Sequence, residues 1–318
     1  MEQVEIGFDI LTKKKVGQKK CWNMLIFIIP AVAFALVFTY APMFGLIMAF
    51  KEGVDFTAYS NPVSAIINAP NAGFNQFVLL FSSPEFLQAF RNTLVISVLK
   101  IVLVFPIPIF LAILITEIRR KKVNNLVQSI AYLPHFLSWA IVATVFISFL
   151  RIDEGSLNII FKIFGWGQVD ITDPAQFPII MIWTTAWKDV GWSTVTYTAA
   201  IMAIDPRQYE AARIDGANKF QEIFKITLPS IAGTIAVLLI MRIGYIMDAG
   251  FEQIYAMLTP TAEPTGQIIG TLIYNMSIKQ GGKYEFTTAA GLFNSLISLF
   301  LILGGDKLSK KLFHRGII

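Results

Sequence analysis

The chain has 318 residues, of which 55% are hydrophobic and 15% are charged, and its mean hydropathy is +0.62. A soluble domain of this length needs far more charge to cover its surface, so the composition excludes that class and predicts an all-α integral membrane protein. The net charge of +5 does not indicate nucleic-acid binding, because the basic residues flank apolar runs rather than forming one patch with stacking aromatics. A single cysteine excludes an internal disulfide framework, and the two histidines form no metal-ligand pattern, so we expect neither a metal site nor a catalytic site.

Six apolar runs are long enough to cross about 30 Å of hydrocarbon, which takes roughly 20 helical residues. They predict six transmembrane helices, at 22–50, 93–116, 126–150, 178–204, 226–247 and 286–305. We expect one further short helix on the outer membrane surface, in the loop before the second span. The chain is then organised as a basic tail (1–21), a first helix (22–50), an outer loop (51–90), a five-helix core (91–306) that contains a polar segment (205–229), and a second tail (307–318).

The placement of lysine and arginine predicts the orientation of these helices. With the amino terminus inside, the inner segments carry 17 of these residues and the outer segments carry 5. Because basic residues concentrate on the cytoplasmic side of a membrane, both termini are predicted to be cytoplasmic, an N-in/C-in arrangement. The polar segment then also lies in the cytoplasm.

Local signals within the polar segment predict two short capped helices. Asp205 before Pro206, with Gln208 as the reciprocal residue at the third helical position, is typical of a capped helix start, and Gly216 is typical of a helix end at which the glycine adopts a positive φ. Asn218 begins the spacing of a second capping box. Apolar residues then recur at helical spacing, at Phe220, Ile223, Phe224, Thr227 and Leu228. We therefore expect a compact knob with an exposed Glu210 to which a soluble partner binds; the alternative is an ordinary cytoplasmic linker.

The spacing of this segment also carries a family resemblance. Glu210-Ala211-Ala212, three residues, Gly216, nine residues and Ile226-Thr227-Leu228-Pro229 resemble the EAA loop in permease subunits of ATP-binding-cassette importers. The resemblance implies the type I importer permease fold, in a multi-pass protein of the bacterial cytoplasmic membrane, with the loop seated in a groove of an ATPase. The residues that it implies for ATPase coupling are Tyr209, Glu210, Ala211, Ala212, Asp215, Gly216, Phe220, Phe224, Leu228 and Pro229.

Further stretches resemble the carbohydrate-uptake branch of these importers, in particular the subgroup for complex or acidic oligosaccharides. They are Ile243-Gly244-Tyr245, residues 250–254, the neighbourhood of Tyr274-Asn275 and residues 288–293. This resemblance implies oligosaccharide cargo, a second homologous permease, a cytoplasmic ABC ATPase dimer and an extracellular substrate-binding lipoprotein, with membrane lipid around the helices. No G-x-x-x-x-G-K-[ST] sequence occurs, so we expect no cofactor on this chain, and ATP and Mg²⁺ on the partner ATPase.

Polar and aromatic residues inside the spans are the candidates for contact with cargo, because such residues usually face the bundle interior or a water-filled path. The candidates are Trp187, Lys188, Trp192, Arg242, Asp248, Glu252 and Asn294. The charged residues could instead pair within the bundle, and the tryptophans could anchor the protein at the membrane interface. For the whole chain, the alternatives are a secondary transporter or channel of six helices, a membrane-embedded enzyme, and a permease of the same machinery for another class of solute.

Overall fold

The computed structural model describes residues 28–313 of the chain. The predicted basic tail (1–21), the first six residues of the first predicted span and the last five residues of the chain lie outside the described part.

The chain divides into two compact units, residues 1–47 and residues 48–318. Helix α1 (Ile28–Phe50) accounts for the described part of the first unit, and its last three residues belong to the second. It is a 23-residue apolar helix, which agrees with the predicted first span over the residues that are described.

The second unit is helical, with one isolated bridge between Lys51 and Asn71 and no strand in its described residues. Two short helices precede the second long one, and one of them, α3, lies within the predicted outer loop; its position on the membrane surface stays a prediction. The helices are α2 (Pro62–Asn68), α3 (Asn75–Ser82), α4 (Pro84–Glu117), α5 (Lys121–Phe136), α6 (Trp139–Phe149), α7 (Ser156–Ile163), α8 (Phe177–Met202), α9 (Pro206–Ile214), α10 (Lys219–Gly244), α11 (Phe251–Met257), α12 (Glu263–Gly266), α13 (Ile269–Tyr274) and α14 (Tyr284–Phe313).

The second long helix begins earlier than the sequence predicted. It starts at Pro84 rather than at residue 93, so the outer loop gives way to helix before residue 90. The reason is local: the Ser83 hydroxyl accepts a hydrogen bond from the Phe86 N–H at 3.3 Å, and proline occupies the first helical position, where a missing N–H costs nothing.

The third predicted span is not one straight helix. Helices α5 and α6 meet at an angle of 99°, with a break at Leu137 and Ser138. Pro134 lacks the N–H that would continue the α-helical pattern, and a 3₁₀ turn from Leu133 to Phe136 ends α5. The hydroxyl of Ser138 then caps α6 by accepting from the Ile141 N–H at 3.4 Å.

Among residues 28–313, four helices are long and apolar enough to cross a membrane, or five if the bent pair α5–α6 forms one span. The four are α1, α4, α10 and α14. Helix α8 has 26 residues, which is sufficient length, but its threonines and the Lys188-Asp189 pair leave it less apolar than these. The count of six spans is therefore not confirmed by length and composition.

Four buried clusters lie in the second unit, one of them a small cluster between α4 and α8, and the other three each join three or more helices. One joins α4, α6, α8 and α11 through residues such as Ile96, Phe177 and Ile254, and another joins α3, α4, α13 and α14 around Phe86. A third joins α4, α8 and α10 around Tyr197, and it supports the polar segment, because Ile223 and Leu228 pack against it. The polar segment is thus built onto three of the long helices.

Candidate functional site

The polar segment 205–229, called the coupling segment below, begins with a capped helix. The Asp205 carboxylate accepts a hydrogen bond from the Arg207 N–H at 3.0 Å, and Pro206 is the first residue of α9. The predicted capping box follows: the Asn218 side chain accepts from the Gln221 N–H at 3.0 Å, and the Gln221 side chain accepts from the Asn218 N–H at 2.9 Å. Both helix starts are confirmed, although only the second has the reciprocal bond of a capping box; the bond predicted from Gln208 is not formed.

Gly216 ends α9 in the left-handed conformation that was predicted, with φ of +77°. Its N–H donates to the Arg213 carbonyl at 3.1 Å, and the Ala217 N–H donates to the Ala212 carbonyl at 2.9 Å. These two bonds form a Schellman motif, which satisfies carbonyls that the end of the helix leaves free.

A buried carboxylate joins the two helices of the segment. Glu222 is 3% exposed, and it accepts hydrogen bonds from Arg213 Nε at 2.8 Å and from Lys219 Nζ at 2.9 Å. The hydrogen bond to Glu222 raises the pKa of the Arg213 guanidinium above its ordinary value. Lys219 also contacts Glu117 at 2.9 Å, and Glu117 is the last residue of α4. The segment is therefore anchored to the end of a long helix.

A second contact fixes the segment to the base of α10. The Tyr209 hydroxyl lies 2.9 Å from the hydroxyl oxygen of Thr227, which is buried. The predicted apolar stripe consequently divides: Ile223, Thr227 and Leu228 face the bundle, whereas Phe220 and Phe224 remain exposed.

The predicted coupling residues differ in exposure. Tyr209, Ala212 and Leu228 are partly buried, and the others are exposed: Glu210, Ala211, Asp215, Gly216, Phe220, Phe224 and Pro229. Sequence reasoning missed Ile214, which is 87% exposed. Its position four residues after Glu210 places it on the same side of α9, and that spacing is the signal that could have identified it.

A cavity lies between α4, α8, α10 and the turn before α11. It has two lobes, of about 190 Å³ and about 310 Å³. Of the predicted cargo residues, Arg242 lines both lobes, Asp248 lines the first and Trp192 lines the second. The structure thus brings together three of the seven candidates. The residues shared by the lobes are Lys100, Thr185, Asp189, Arg242 and Tyr245.

Lys188 belongs to an internal cluster beside this cavity. Its Nζ donates to the His135 carbonyl oxygen at 2.8 Å and lies 3.7 Å from the Asp189 carboxylate. Asp189 also lies 3.1 Å from the His135 ring nitrogen Nδ1, and that ring stacks on Trp192 with 4.8 Å between the centroids. Lys188 is 5% exposed and lines neither lobe, so internal pairing accounts for its charge.

The remaining candidates lie elsewhere in the unit. Trp187 packs on Phe146 with 5.3 Å between ring centroids. Glu252 is exposed on α11, and Asn294 lines a separate space of about 360 Å³ together with Asp248. Contact between these residues and cargo stays a prediction.

Lys100 also lines the cavity, although it is not among the candidates that the sequence indicated. It is 3% exposed, and its Nζ donates to the Gln253 side-chain oxygen at 2.6 Å and to the Ala249 carbonyl oxygen at 2.9 Å. Gln253 is fully buried and also contacts Thr184 and Thr185 of α8. A charged side chain within a span is rare and usually functional, and this rarity was the available signal.

Residues 104–314 match the family described as the binding-protein-dependent transport system inner membrane component. The matched region contains the coupling segment and most of the cavity. The chain belongs to this family. It is accordingly a transport component and a multi-pass protein of the bacterial inner membrane.

Two relatives from Bacillus subtilis (strain 168) align with nearly the whole of this family member. This chain is 35% identical over 305 residues to the polygalacturonan/rhamnogalacturonan transport system permease protein YteP, and the alignment covers 96% of this chain and 92% of YteP. It is 37% identical over 297 residues to the protein LplB, covering 93% of this chain and 91% of LplB.

A solved structure shows the same fold. One chain of a bacterial alginate ABC transporter, crystallised in complex with an alginate pentasaccharide-bound periplasmic protein, matches with a TM-score of 0.84 and 39% identity. The match covers 94% of this chain and 98% of that chain. This transport component therefore has the permease fold of an ABC importer.

Proposed function

We propose that this chain is one of two permease halves of an ATP-driven, binding-protein-dependent importer of oligosaccharides. Family membership supports the importer class, and the transport systems named for YteP and for the alginate transporter support the cargo class. The observation that carries the proposal is the coupling segment, because it is rigidly anchored on one side and presents a carboxylate and large apolar groups on its exposed side.

The proposed assembly contains a second homologous permease, a dimer of cytoplasmic ATPases and an extracellular substrate-binding lipoprotein that delivers the cargo. ATP and Mg²⁺ bind to the ATPases. This chain contributes six spans in the N-in/C-in orientation, with α5–α6 as the bent third span and α8 as the fourth. Helix α8 crosses the membrane despite its polar residues because these face the cavity and the internal cluster rather than lipid.

The contacts of the coupling segment give a route for coupling. A groove of the ATPase holds Ile214, Phe220 and Phe224, whose exposed surface is otherwise unfavourable in water. Movement of that groove is transmitted through Glu222 and Lys219 to Glu117 at the end of α4, and through the continuous helix α10 to Arg242 at the cavity. Because the ion pairs and the Tyr209–Thr227 contact fix the segment, it moves with these helices as one body.

The test is the substitution Glu210→Lys, measured in the complete importer reconstituted in liposomes. Glu210 is exposed, so reversal of its charge leaves the fold intact, and we expect weaker ATPase association together with loss of ATP-driven oligosaccharide uptake. Glu52→Lys, an exposed carboxylate in the predicted outer loop, is the matched control and should retain ATPase association. Normal uptake by Glu210→Lys would argue against this docking surface. Uptake that needs no ATPase at all would instead support the alternative of a secondary transporter.

A further inference from the structure

We propose that Lys100, together with Arg242, forms a position in the cavity that binds a carboxylate of acidic cargo. This inference rests on the proposed function and adds the chemical class of the oligosaccharide that the permease itself recognises.

The first observation is a buried lysine with no carboxylate within ion-pair distance. Lys100 Nζ has two acceptors, the Ala249 carbonyl and the Gln253 side-chain oxygen, and both are neutral. Among residues 28–313 no carboxylate forms an ion pair with it, although the side chain is 97% buried. An ammonium group has three N–H donors, and these two protein acceptors are both uncharged. A buried cation in this condition is costly, and an anionic ligand would compensate for it.

The second observation is that the backbone is shaped around this ammonium group. Ala249 adopts φ of +50° and Gly250 adopts φ of +85°, so two successive residues are left-handed at the break between α10 and α11. A non-glycine residue in this region is strained, and such strain tends to persist at functional sites. A Cβ on Gly250 would lie 2.8 Å from Lys100 Nζ, so another residue there would be strained at φ of +85° and would also require the ammonium group to move.

The third observation is the charge balance of the cavity. Lys100 and Arg242 line both lobes, and Asp189 and Asp248 are the carboxylates that line it. Asp189 already pairs with Lys188 and contacts His135, which leaves Asp248 as one carboxylate for two cations. The cavity therefore has more basic than acidic side chains available to a ligand, and a carboxylate of the cargo would balance this difference.

The chemistry of the named relatives agrees with this balance. Polygalacturonan and alginate are polymers of sugar acids, and the systems named for them include proteins 35% and 39% identical to this chain. Each sugar-acid unit has a carboxylate that can accept a hydrogen bond from Lys100 while Arg242 binds the same group or its neighbour.

The experiment measures binding to the complete importer in nanodiscs, without the substrate-binding lipoprotein, so that only the membrane part recognises the ligand. The two probes are a galacturonic-acid trisaccharide and its methyl ester, which has the same rings but no charge. We expect the wild-type importer to bind the acid about tenfold or more tightly than the ester, since a charge-assisted hydrogen bond is lost with the ester. Lys100→Met should show a clearly reduced preference for the acid.

Lys279→Met is the matched control, and this variant should keep the preference for the acid. Lys279 is exposed and lies outside this cavity, with its Nζ 5.1 Å from the centroid of the Tyr255 ring. Should Lys100→Met fail to assemble, Arg242→Gln replaces an exposed side chain of the cavity wall and should also reduce the preference. The inference is overturned if the wild-type importer shows no preference, or if every assembled cavity variant retains it. Failure of ATP-driven uptake of any oligosaccharide by the wild type would instead reject the proposed function.

Discussion

Replacement of Gly216 by valine isolates the contribution of one backbone turn to coupling. No atom lies within 4 Å of the position that a Cβ would occupy at Gly216, so the substitution introduces strain without a steric clash. The strain arises from φ of +77°, a conformation that costs an ordinary residue about 1–2 kcal/mol and a β-branched residue more, up to about 3 kcal/mol. A cost of about 2 kcal/mol lowers the population of the native turn roughly thirtyfold.

The structure shows how the chain would relieve this strain. Rotation of residue 216 to a negative φ breaks the bonds from Gly216 N–H to the Arg213 carbonyl and from Ala217 N–H to the Ala212 carbonyl. The end of α9 and the start of α10 then separate, which moves Ile214 away from Phe220. We therefore expect Gly216→Val to remain in the membrane but to lose most ATPase association and ATP-driven uptake.

Two other glycines provide controls for this substitution. Gly281 also has a positive φ, +62°, and open space around its Cβ position, but it lies outside the coupling segment. Gly281→Val should therefore lower stability by a similar amount and leave ATPase association unchanged. Gly167 has open space without a positive φ, so Gly167→Val should change neither property. The measurements are co-purification of the ATPase, uptake in liposomes and thermal stability in detergent. Normal uptake by Gly216→Val, or an equal loss of uptake in Gly281→Val, would refute the reasoning.

Two further predictions concern packing and topology. A Cβ on Gly191 would lie 1.9 Å from the Ala131 carbonyl oxygen, so Gly191→Ala should force α5 and α8 apart and lower the free energy of unfolding by about 1–3 kcal/mol or more. Gly291→Ala is the control and should be tolerated, because the nearest neighbour of its Cβ position is 4.0 Å away. Equal melting temperatures for the two variants would contradict the close approach of α5 and α8. The bias of 17 to 5 in basic residues predicts where reporter fusions will lie. Fusions after Lys122, Lys225 and the carboxyl terminus should report cytoplasm, and fusions near Asn71, Gly167 and Gly281 should report the outside. One inverted assignment would contradict the six-span topology.

The sequence by itself determined the membrane class, the long apolar helices and the local architecture of the coupling segment. These properties depend on interactions between near neighbours in the chain. Asp205, Gly216 and Asn218 act on backbone groups within a few residues of themselves, so the identity of the residue is nearly sufficient to predict the conformation. The length of an apolar run can likewise be counted from neighbouring residues, and it correctly predicted long apolar helices at α1, α4, α10 and α14.

Tertiary structure decided which polar residues are paired and which line the cavity. Lys100 contacts Ala249 and Gln253, which are 149 and 153 residues away, and no local pattern reports such a contact. The same applies to Glu222, which resembles an ordinary helix-flanking acid in the sequence but is buried because Arg213 and Lys219 converge on it. Charge within a span shows only that a partner is needed, since burial of an unpaired charge is costly. The identity of that partner depends on how the helices pack, and packing also separated Lys188, which is paired internally, from Arg242, which faces the cavity.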